Sequence, residues 1–396
     1  MAALRHARID FKDRRAGTLR ETAEGGTVFE YDRQFPEDIA CALPRAHDSH
    51  TWPVGLHPFF EHLGPEGWLR DRQARTAEIA VEDDFGILLA FGVDCIGAVS
   101  IHAPVEPPVS AGRGQLDELT AAAVAGKRTL SGVQPKLLVT KGAAGFVPAG
   151  AAGPAPYIAK FPSDDLPNIV ANETLALKAA RLLLGRDQVV EAEPAAVVGI
   201  PRPALVVRRF DRTPDGDKLR LEDFAQILSK PRGRDYLGKY DAGFEDIGAA
   251  ITRHSARPEI DILRYFQRIV AYALIGNCDC HLKNFSLLET VVGLRLSPAY
   301  DIVNTYIYGA QGYSTRFGLR IDNELRQFDQ IDRDLLTGLG LKLGLPRPAI
   351  ARTFEGFAKR REQLLGLVPP PERVEENDFR DLFADTLRAA YFRICP

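Results

Sequence analysis

A chain of 396 residues, 45% of them hydrophobic, is long enough for two or three packed units and a sizeable core. Lys and Arg number 50 against 53 Asp and Glu, a net charge of −3, which excludes the strongly basic balance of a protein whose main work is coating nucleic acid but allows a local basic patch. The five cysteines, Cys41, Cys95, Cys278, Cys280 and Cys395, are scattered and odd in number, unlike the dense even framework of a small secreted domain, and point to a reducing compartment.

Met1–Arg15 mixes charges every few residues and holds no apolar stretch of signal-peptide length. The longest apolar run, Ile269–Gly276, is far short of the roughly 20 residues that span a bilayer, so the expectation is a cytoplasmic chain with no membrane partner. Strand-like runs at Ala7–Phe11, Gly17–Arg20 and Thr27–Tyr31, each bounded by Gly or charged turns, predict an antiparallel sheet. Pro58–Ile79 carries Phe59, Phe60, Leu63, Trp68 and Leu69 at mixed helical spacing broken by Gly64-Pro65, which predicts two short helices with a kink. Asp83–Leu89 reads as a helix and Cys95–Ile101 as a strand. The breakers of Ala103–Gly114 then close a β-rich amino-terminal domain at residues 1–105.

Leu116–Ala125 is Ala-rich and helical by propensity, with Gly126 as its stop. Leu137–Thr140 and Tyr157–Phe161 read as strands joined by a loose hairpin loop over 142–156. Asn168–Leu184 is an amphipathic helix ended by Gly185, and Ala195–Val198 and Ala204–Arg209 are strand-like. These make a sheet-rich part, 115–222. Beyond Asp223 the character is helical, with Phe244–His254, Ile260–Gly276, Gln330–Leu343, Arg347–Leu364 and Asp378–Arg393 filling 223–396 and the last three forming a bundle. The expected class is α+β. Sheets followed by helices suit a two-lobed phosphotransferase and many unrelated proteins alike, so motifs must decide.

Asp279-Cys280-His281-Leu282-Lys283-Asn284 follows a strongly apolar helix and precedes a strand-like run, concentrating polar groups at a corner. Asp-x4-Asn is the spacing that phosphoryl transfer in the protein-kinase manner needs: one carboxylate orients the attacking hydroxyl and an amide oxygen five residues on reaches a metal ion. A second metal-binding carboxylate should follow across a hairpin, and Asp301 stands seventeen residues after Asn284. Zinc at Cys278, Cys280 and His281 is set aside, because Cys-x-Cys lacks the usual gap and no second pair completes a tetrahedron. Upstream, Thr129-Leu130-Ser131-Gly132-Val133-Gln134-Pro135-Lys136 offers small residues whose backbone N–H groups could cradle phosphate, though it matches neither common Gly-rich pattern and an ordinary loop stands as the alternative. Lys160 in the apolar run Tyr157–Phe161 suits a strand lysine gripping nucleotide phosphates, or a snorkelling edge residue, with Glu173 of Asn172-Glu173 as its possible carboxylate. Arg208-Arg209-Phe210-Asp211-Arg212 reads as an ion-pair cluster, and together with Leu221-Glu222-Asp223-Phe224 lies where an adenine would meet hinge backbone.

With these residues in view, the chain resembles the HipA family of serine/threonine protein kinases, toxin halves of bacterial toxin–antitoxin pairs. Ser131–Lys136 resembles its phosphate loop, Ile158-Ala159-Lys160 its nucleotide-lysine strand, Arg209–Arg212 with Glu222-Asp223-Phe224 its hinge approach, Asp279–Asn284 its Asp-Gly-His-x-Lys-Asn loop and Tyr300-Asp301 its metal segment. Gly17-Thr18-Leu19, Phe29–Asp32, Leu43-Pro44, Gly64–Gly67 and Asp94–Val99 resemble its amino-terminal domain. The resemblance implies a two-lobed kinase fold using ATP and Mg2+ on a protein substrate, with an aminoacyl-tRNA synthetase as the best-known target class, and a small helix-turn-helix antitoxin, HipB-like, as the only route to DNA. Asp279, Lys283 and Asn284 would be catalytic. Ser131, Gly132, Val133, Gln134, Lys136, Lys160, Glu222, Phe224 and His281 would hold nucleotide, Asn284 and Asp301 the metal, and Thr129 or Ser131 would be self-phosphorylated. A catalytically silent binding subunit, and a kinase of a small molecule or lipid, remain as alternatives. Two departures stand out: Cys280 where the family has Gly, and Gly64 where Leu is common.

Overall fold

The computed structural model describes residues 4–105, 117–126, 128–130, 134–151, 153–368 and 377–396. The chain divides into two compact units, Met1–Ser163 with Glu193–Gly238 and Asp164–Ala192 with Lys239–Pro396. The stretch read in sequence as one sheet-rich part, 115–222, therefore contributes to both.

The first unit opens with strands β1 (His6–Phe11), β2 (Arg14–Glu21), β3 (Thr27–Tyr31), β4 (Ser49–Trp52) and β5 (Val99–His102), paired in the order β4-β3-β2-β1-β5. The pairing is antiparallel throughout, as alternation in the first three runs predicts. Ala7, Ile9 and Phe11 of β1 turn inward onto Phe29, Phe60, Leu63 and Leu88. The helices Pro58–Glu61 and Gly67–Thr76 break at the expected Gly64-Pro65. Strand β4 lies between Pro44 and Pro53, outside the strand-like runs; it is an edge strand with every side chain at least partly exposed, so no apolar alternation announces it. The strand expected over Cys95–Ile101 begins only at Val99, because Asp94–Gly97 is held as a turn by an ion cluster described below.

Strands β6 (Lys136–Gly142), β7 (Gly145–Pro148), β8 (Tyr157–Lys160), β9 (Ala192–Val197) and β10 (Ile200–Arg208) close a small barrel in the order β10-β8-β6-β7-β9. Its interior is filled by Leu137, Val139, Phe146, Ala159, Ala204 and Val206. Central strand β8 sets Lys160 opposite Lys136 on one side and Leu205 on the other. The expected loose loop at 142–156 contains β7, a four-residue strand whose single buried anchor is Phe146 and whose last residue is a proline, too little pattern to read in sequence.

The second unit is helical, with Ile169–Leu184, Phe244–His254, Pro258–Ile275, Arg333–Lys342, Arg347–Ala358, Arg361–Leu365 and Asn377–Ile394, plus a hairpin of Ser286–Thr290 and Gly293–Leu296. The Pro258–Ile275 helix packs against Ile169–Leu184, Phe244–His254 and Asn377–Ile394. Its last seven residues, Ile269 to Ile275, are all buried, which is why they read as an apolar run rather than a stripe. Pro258 starts it and Gly276, with φ of +85°, stops it. The single helix expected over Arg347–Leu364 is two, because Arg360 leaves the helical region (φ −96°, ψ 1°). No described helix is long and apolar enough to cross a membrane.

Candidate active site

In the first unit, the candidate phosphate-binding residues gather at the β6–β8 pair. Lys136 and Lys160 are directly opposed across antiparallel strands, so their side chains stand on the same face, and both are buried. Gln134 Nε2 donates to the Phe161 carbonyl (2.7 Å) and the Phe161 N–H donates to the Pro135 carbonyl (2.8 Å), which fastens the loop's exit to the end of β8. The Gln134 amide is thereby engaged in holding the loop. Ser131, Gly132 and Val133 lie outside the described residues. Thr129 is described and buried, at 1% exposure.

The entry to that loop is held differently. Arg128 donates through Nη1 to Asp94 (2.7 Å) and through Nη2 to the Gly153 carbonyl (2.6 Å), while Gln73 Nε2 donates to the Arg128 carbonyl (2.6 Å). Asp94 also pairs with Arg212 (2.6 Å), and Asp211 with Arg209 and Arg212 (2.8 Å each). The Gly97 N–H donates to the same Asp211 (2.8 Å). Burial opposes the charge on Asp211, but Arg209, Arg212 and this N–H outweigh it and hold the carboxyl at about 2. Asp94 is lowered in the same way, burial being overcome by Arg209, Arg212 and Arg128. Arg209 and Arg212 therefore belong to an ion-pair cluster, as the interleaved Asp211 suggests. Glu222 faces a similar fate: its carboxylate accepts from Arg220 Nε (2.7 Å) and from the Cys41 N–H (2.8 Å). Phe224 is fully buried at the start of a short helix that Asp223 and Gln226 close with a capping box.

In the second unit, the αL residue Gly276 turns the chain out of its apolar helix into the loop that carries Asp279, His281, Lys283 and Asn284. The loop backbone is tied on two sides: the Cys278 N–H donates to Thr305 Oγ1 (2.8 Å), and the Gly318 N–H donates to the Cys278 carbonyl (2.9 Å). The Asp279 N–H donates to Asn277 Oδ1 (3.2 Å), leaving the Asp279 side chain about half exposed. His281 Nδ1 accepts from the Lys283 N–H (3.3 Å), so Nε2 carries the ring proton, and Nε2 lies 3.9 Å from Asp279 Oδ1. The Tyr240 hydroxyl donates to that same Oδ1, and its ring meets His281 edge-on at 5.1 Å. Asn284 Oδ1 accepts from the His281 N–H over a long 3.3 Å, leaving a second lone pair for another partner.

The hairpin brings Asp301 back to this loop. The Tyr300 hydroxyl donates to the Lys283 carbonyl (2.8 Å), setting the residue before Asp301 against the residue before Asn284, and it also contacts Ser286 Oγ. Asp301 itself has φ of +57°, a left-handed conformation that costs a non-Gly residue of order 1–3 kcal/mol and persists only where its surroundings impose it. The following segment is pinned by Asn172 of the Ile169–Leu184 helix, whose amide donates to the Asn304 carbonyl (3.0 Å) and accepts from the Asn304 N–H (2.9 Å). In sequence, Asn172 stands out only beside Glu173 and Tyr300 only beside Asp301, while nothing marks Tyr240 or Arg128. Their partners lie 17 to 132 positions away, beyond local spacing. Lys160 belongs to the first unit and Glu173 to the second.

Cys280, where a Gly was expected, does not adopt positive φ, so the loop has no need of glycine's freedom there. Its side chain is fully buried against Gly318, where a β-carbon would stand 2.6 Å from Cys280 Sγ. Burial pushes the Cys278 thiol up to about 12 and raises Cys280 as well, so both stay protonated and inert.

Known proteins share this architecture. The HipA-like C-terminal domain matches residues 128–364 and the HipA N-terminal domain residues 7–102. "Putative kinase Y4mE" of Sinorhizobium fredii is 27% identical, covering 95% of this chain and 93% of the relative, and "Putative kinase Y4dM" of the same organism is 30% identical, covering 87% of each. The serine/threonine-protein kinase toxin HipA of Shewanella oneidensis is 26% identical over 81% of this chain and 79% of its own. The solved complex of Shewanella oneidensis HipA with HipB and operator DNA contains a chain that superposes with a TM-score of 0.75 at 20% identity, covering 98% of this chain and 97% of that one. The α+β, kinase-like fold expected from sequence is thus the fold found, and with both of its parts matched, this chain belongs to the HipA family of kinases.

Proposed function

We propose that the protein is an ATP-dependent serine/threonine protein kinase, the toxin of a bacterial toxin–antitoxin pair, acting in the cytoplasm on a protein target and on itself. The observation that carries this reading is the buried, same-face pair Lys136 and Lys160. Two lysines buried on one face beside the candidate phosphate loop suit charge-assisted hydrogen bonds to the oxygens of a triphosphate. In this reading Lys160 and Lys136 grip phosphates, the backbone of Ser131 to Gln134 cradles them, and Glu222 and Phe224 shape the hinge through backbone and packing. Residues 1–105 would be an accessory domain, 115–222 the nucleotide part and 223–396 the part carrying the catalytic loop.

Asp279 would orient the acceptor hydroxyl and take its proton; His281, with Nε2–H turned toward Asp279, would help hold that carboxylate, and Lys283 would balance charge on the transferring group. Asn284 Oδ1 and the Asp301 carboxylate are hard oxygen donors, and two protein ligands suit Mg2+, which keeps waters and phosphate oxygens for the rest. When bound, the ion would neutralise phosphate charge.

The relative whose complex contains HipB and operator DNA supports a HipB-like helix-turn-helix partner for this chain, and DNA contact through it. An aminoacyl-tRNA synthetase is the target class suggested by the family resemblance. Self-phosphorylation at Thr129 or Ser131 would add about −1.5 to −2 charge to a loop that must face ATP, so the modified loop would leave the site and activity would fall. Since the Thr129 hydroxyl is buried, its modification requires the loop to open first. The decisive experiment is incubation of the purified chain with labelled Mg-ATP and a cell lysate, with Asp279→Asn as control. Label appearing on proteins only with the wild type is expected; no label on any protein would overturn the reading.

A further inference from the structure

We propose that Tyr240 is an acceptor-site gate: its phenol occupies the place on Asp279 that an acceptor hydroxyl must take, and phosphoryl transfer requires it to leave. The inference deepens the kinase reading above and rests on Asp279 being the hydroxyl-orienting carboxylate. A serine or threonine acceptor would approach such a carboxylate as an O–H donor, within hydrogen-bond reach, before its proton is abstracted. Tyr240 already makes this interaction, donating its O–H to Asp279 Oδ1. It is the oxygen that His281 Nε2 also faces, at 3.9 Å, so the phenol takes the better-prepared of the two carboxylate oxygens.

The phenol is held there by its ring as well as its hydroxyl. The ring edge packs on His281, with centroids 5.1 Å apart at 85°, and the Lys239 ammonium stands 5.4 Å from the ring centroid. Tyr240 is nevertheless only half-buried, and Asp279 about half exposed, so neither is sealed in a core. Tyr240 also ends a segment under backbone tension. Ser229, Asp235 and Tyr236 have φ of +50°, +54° and +61°, left-handed values that side-chain-bearing residues rarely adopt. Arg232 ties the start of this segment to Glu61 and Asp84, whereas Leu237 near its end is 62% exposed and its side chain anchors nothing. Conformations of this cost occur at switches and clamps, where they hold a segment ready to change. A phenol on a reachable carboxylate, carried on such a segment, is the arrangement of a removable cover.

Two measurements on the full chain test the gate separately from the kinase reading. The first is labelling of Asp279 by a water-soluble carbodiimide and an amine, followed by peptide mass spectrometry, which needs no turnover. Tyr240→Phe keeps the ring and removes only the O–H, and is expected to speed labelling of Asp279 severalfold while labelling of the remote exposed Asp385 is unchanged. Equal labelling in the two forms would overturn the gate. The second is Mg-ATP hydrolysis with water as acceptor. Removing a hydrogen bond to a charged group that the acceptor must displace should raise the rate on the order of tenfold in Tyr240→Phe. A rate at or below the wild type would make the tyrosine a positioning residue for Asp279 and sink the gate. Faster labelling with no hydrolysis by either form would leave the cover on Asp279 standing and remove the phosphotransfer reading instead. Tyr240→Ala, which also removes the ring, should move both readouts in the same direction if Tyr240→Phe does.

Discussion

Lys136 and Lys160 face one another as directly paired residues of adjacent antiparallel strands, each 6% exposed, in the sheet that also carries the fastened end of the candidate phosphate loop. In the kinase reading both lysines grip nucleotide phosphates through charge-assisted hydrogen bonds. Lys→Met at either position keeps the aliphatic stem and removes the ammonium. Each variant should raise the Kd for Mg-ATP by about tenfold or more, equivalent to about 1.4 kcal/mol, and shrink the rise in Tm that saturating Mg-ATP produces. Calorimetry and thermal melts with and without nucleotide check both. An unchanged Kd in both variants would remove this pair from the nucleotide site.

Asp279 and Asp301 should separate chemistry from binding. Asp279→Asn should leave Mg-ATP affinity within a few-fold of wild type while phosphate transfer falls by about a hundred- to ten-thousand-fold, the range for losing a positioned base. Asp301→Asn should weaken nucleotide binding in magnesium more than in its absence. Nucleotide titration at two magnesium concentrations, beside single-turnover transfer, distinguishes the two roles.

The cluster of Arg128, Arg209 and Arg212 around Asp94 and Asp211 predicts a sensitivity to charge removal at the entry to the candidate phosphate loop. Asp94→Ala leaves three largely buried guanidinium groups against one carboxylate and should cost about 3–5 kcal/mol in urea unfolding. Arg128 lies immediately before Thr129, so the variant should also loosen the loop entry and weaken ATP binding beyond its effect on stability.

The same cluster gives a pH dependence. Asp211 has its folded pKa lowered to about 2 from an ordinary 3.8, so its stabilising contribution is fully present above about pH 4. It is lost as pH falls toward 2, because the unfolded chain then binds the proton more readily than the folded one. Asp94 shifts in the same direction and adds to the loss. Melting curves from pH 5 to 2 should show Tm falling through this window, and Asp211→Asn should start lower and fall less steeply.

Gly318 should prove intolerant of a side chain. It has φ of +45°, and a β-carbon there would collide with the Cys280 carbonyl and stand 2.6 Å from its Sγ. Gly318→Ala should lower stability by about 1–3 kcal/mol and reduce transfer by displacing the loop that carries Asp279. Pairing it with Cys280→Gly should recover only the part due to the sulfur, since the carbonyl remains. Chemical denaturation of the single and double variants measures the difference.

Much of this molecule could be read from residues alone. The strands at Ala7–Phe11 and Thr27–Tyr31, the helix Phe244–His254 and the kink at Gly64-Pro65 follow from periodicity and breakers, signals that act within a few residues. The elements that escaped reading lack such signals: β4 has no buried alternation, β7 has one buried anchor in four residues, and the break after Ala358 interrupts an otherwise continuous helical pattern. The residues of the candidate site were legible for a similar reason. Asp279, Lys283 and Asn284 share one loop, and their chemistry depends on spacing along the chain.

By itself, then, the order of residues determined which side chains could do chemistry, since residue type and close spacing are local properties. Tertiary structure decided what each of them is free to do. It set Lys136 beside Lys160, 24 positions away, by strand register, spent the carboxylate of Glu222 on Arg220 and Cys41, and made room for Cys280 at Gly318. It also laid Tyr240 on Asp279. Register, burial and hydrogen-bond partnership are pairwise facts between distant positions, fixed only when the chain has closed on itself.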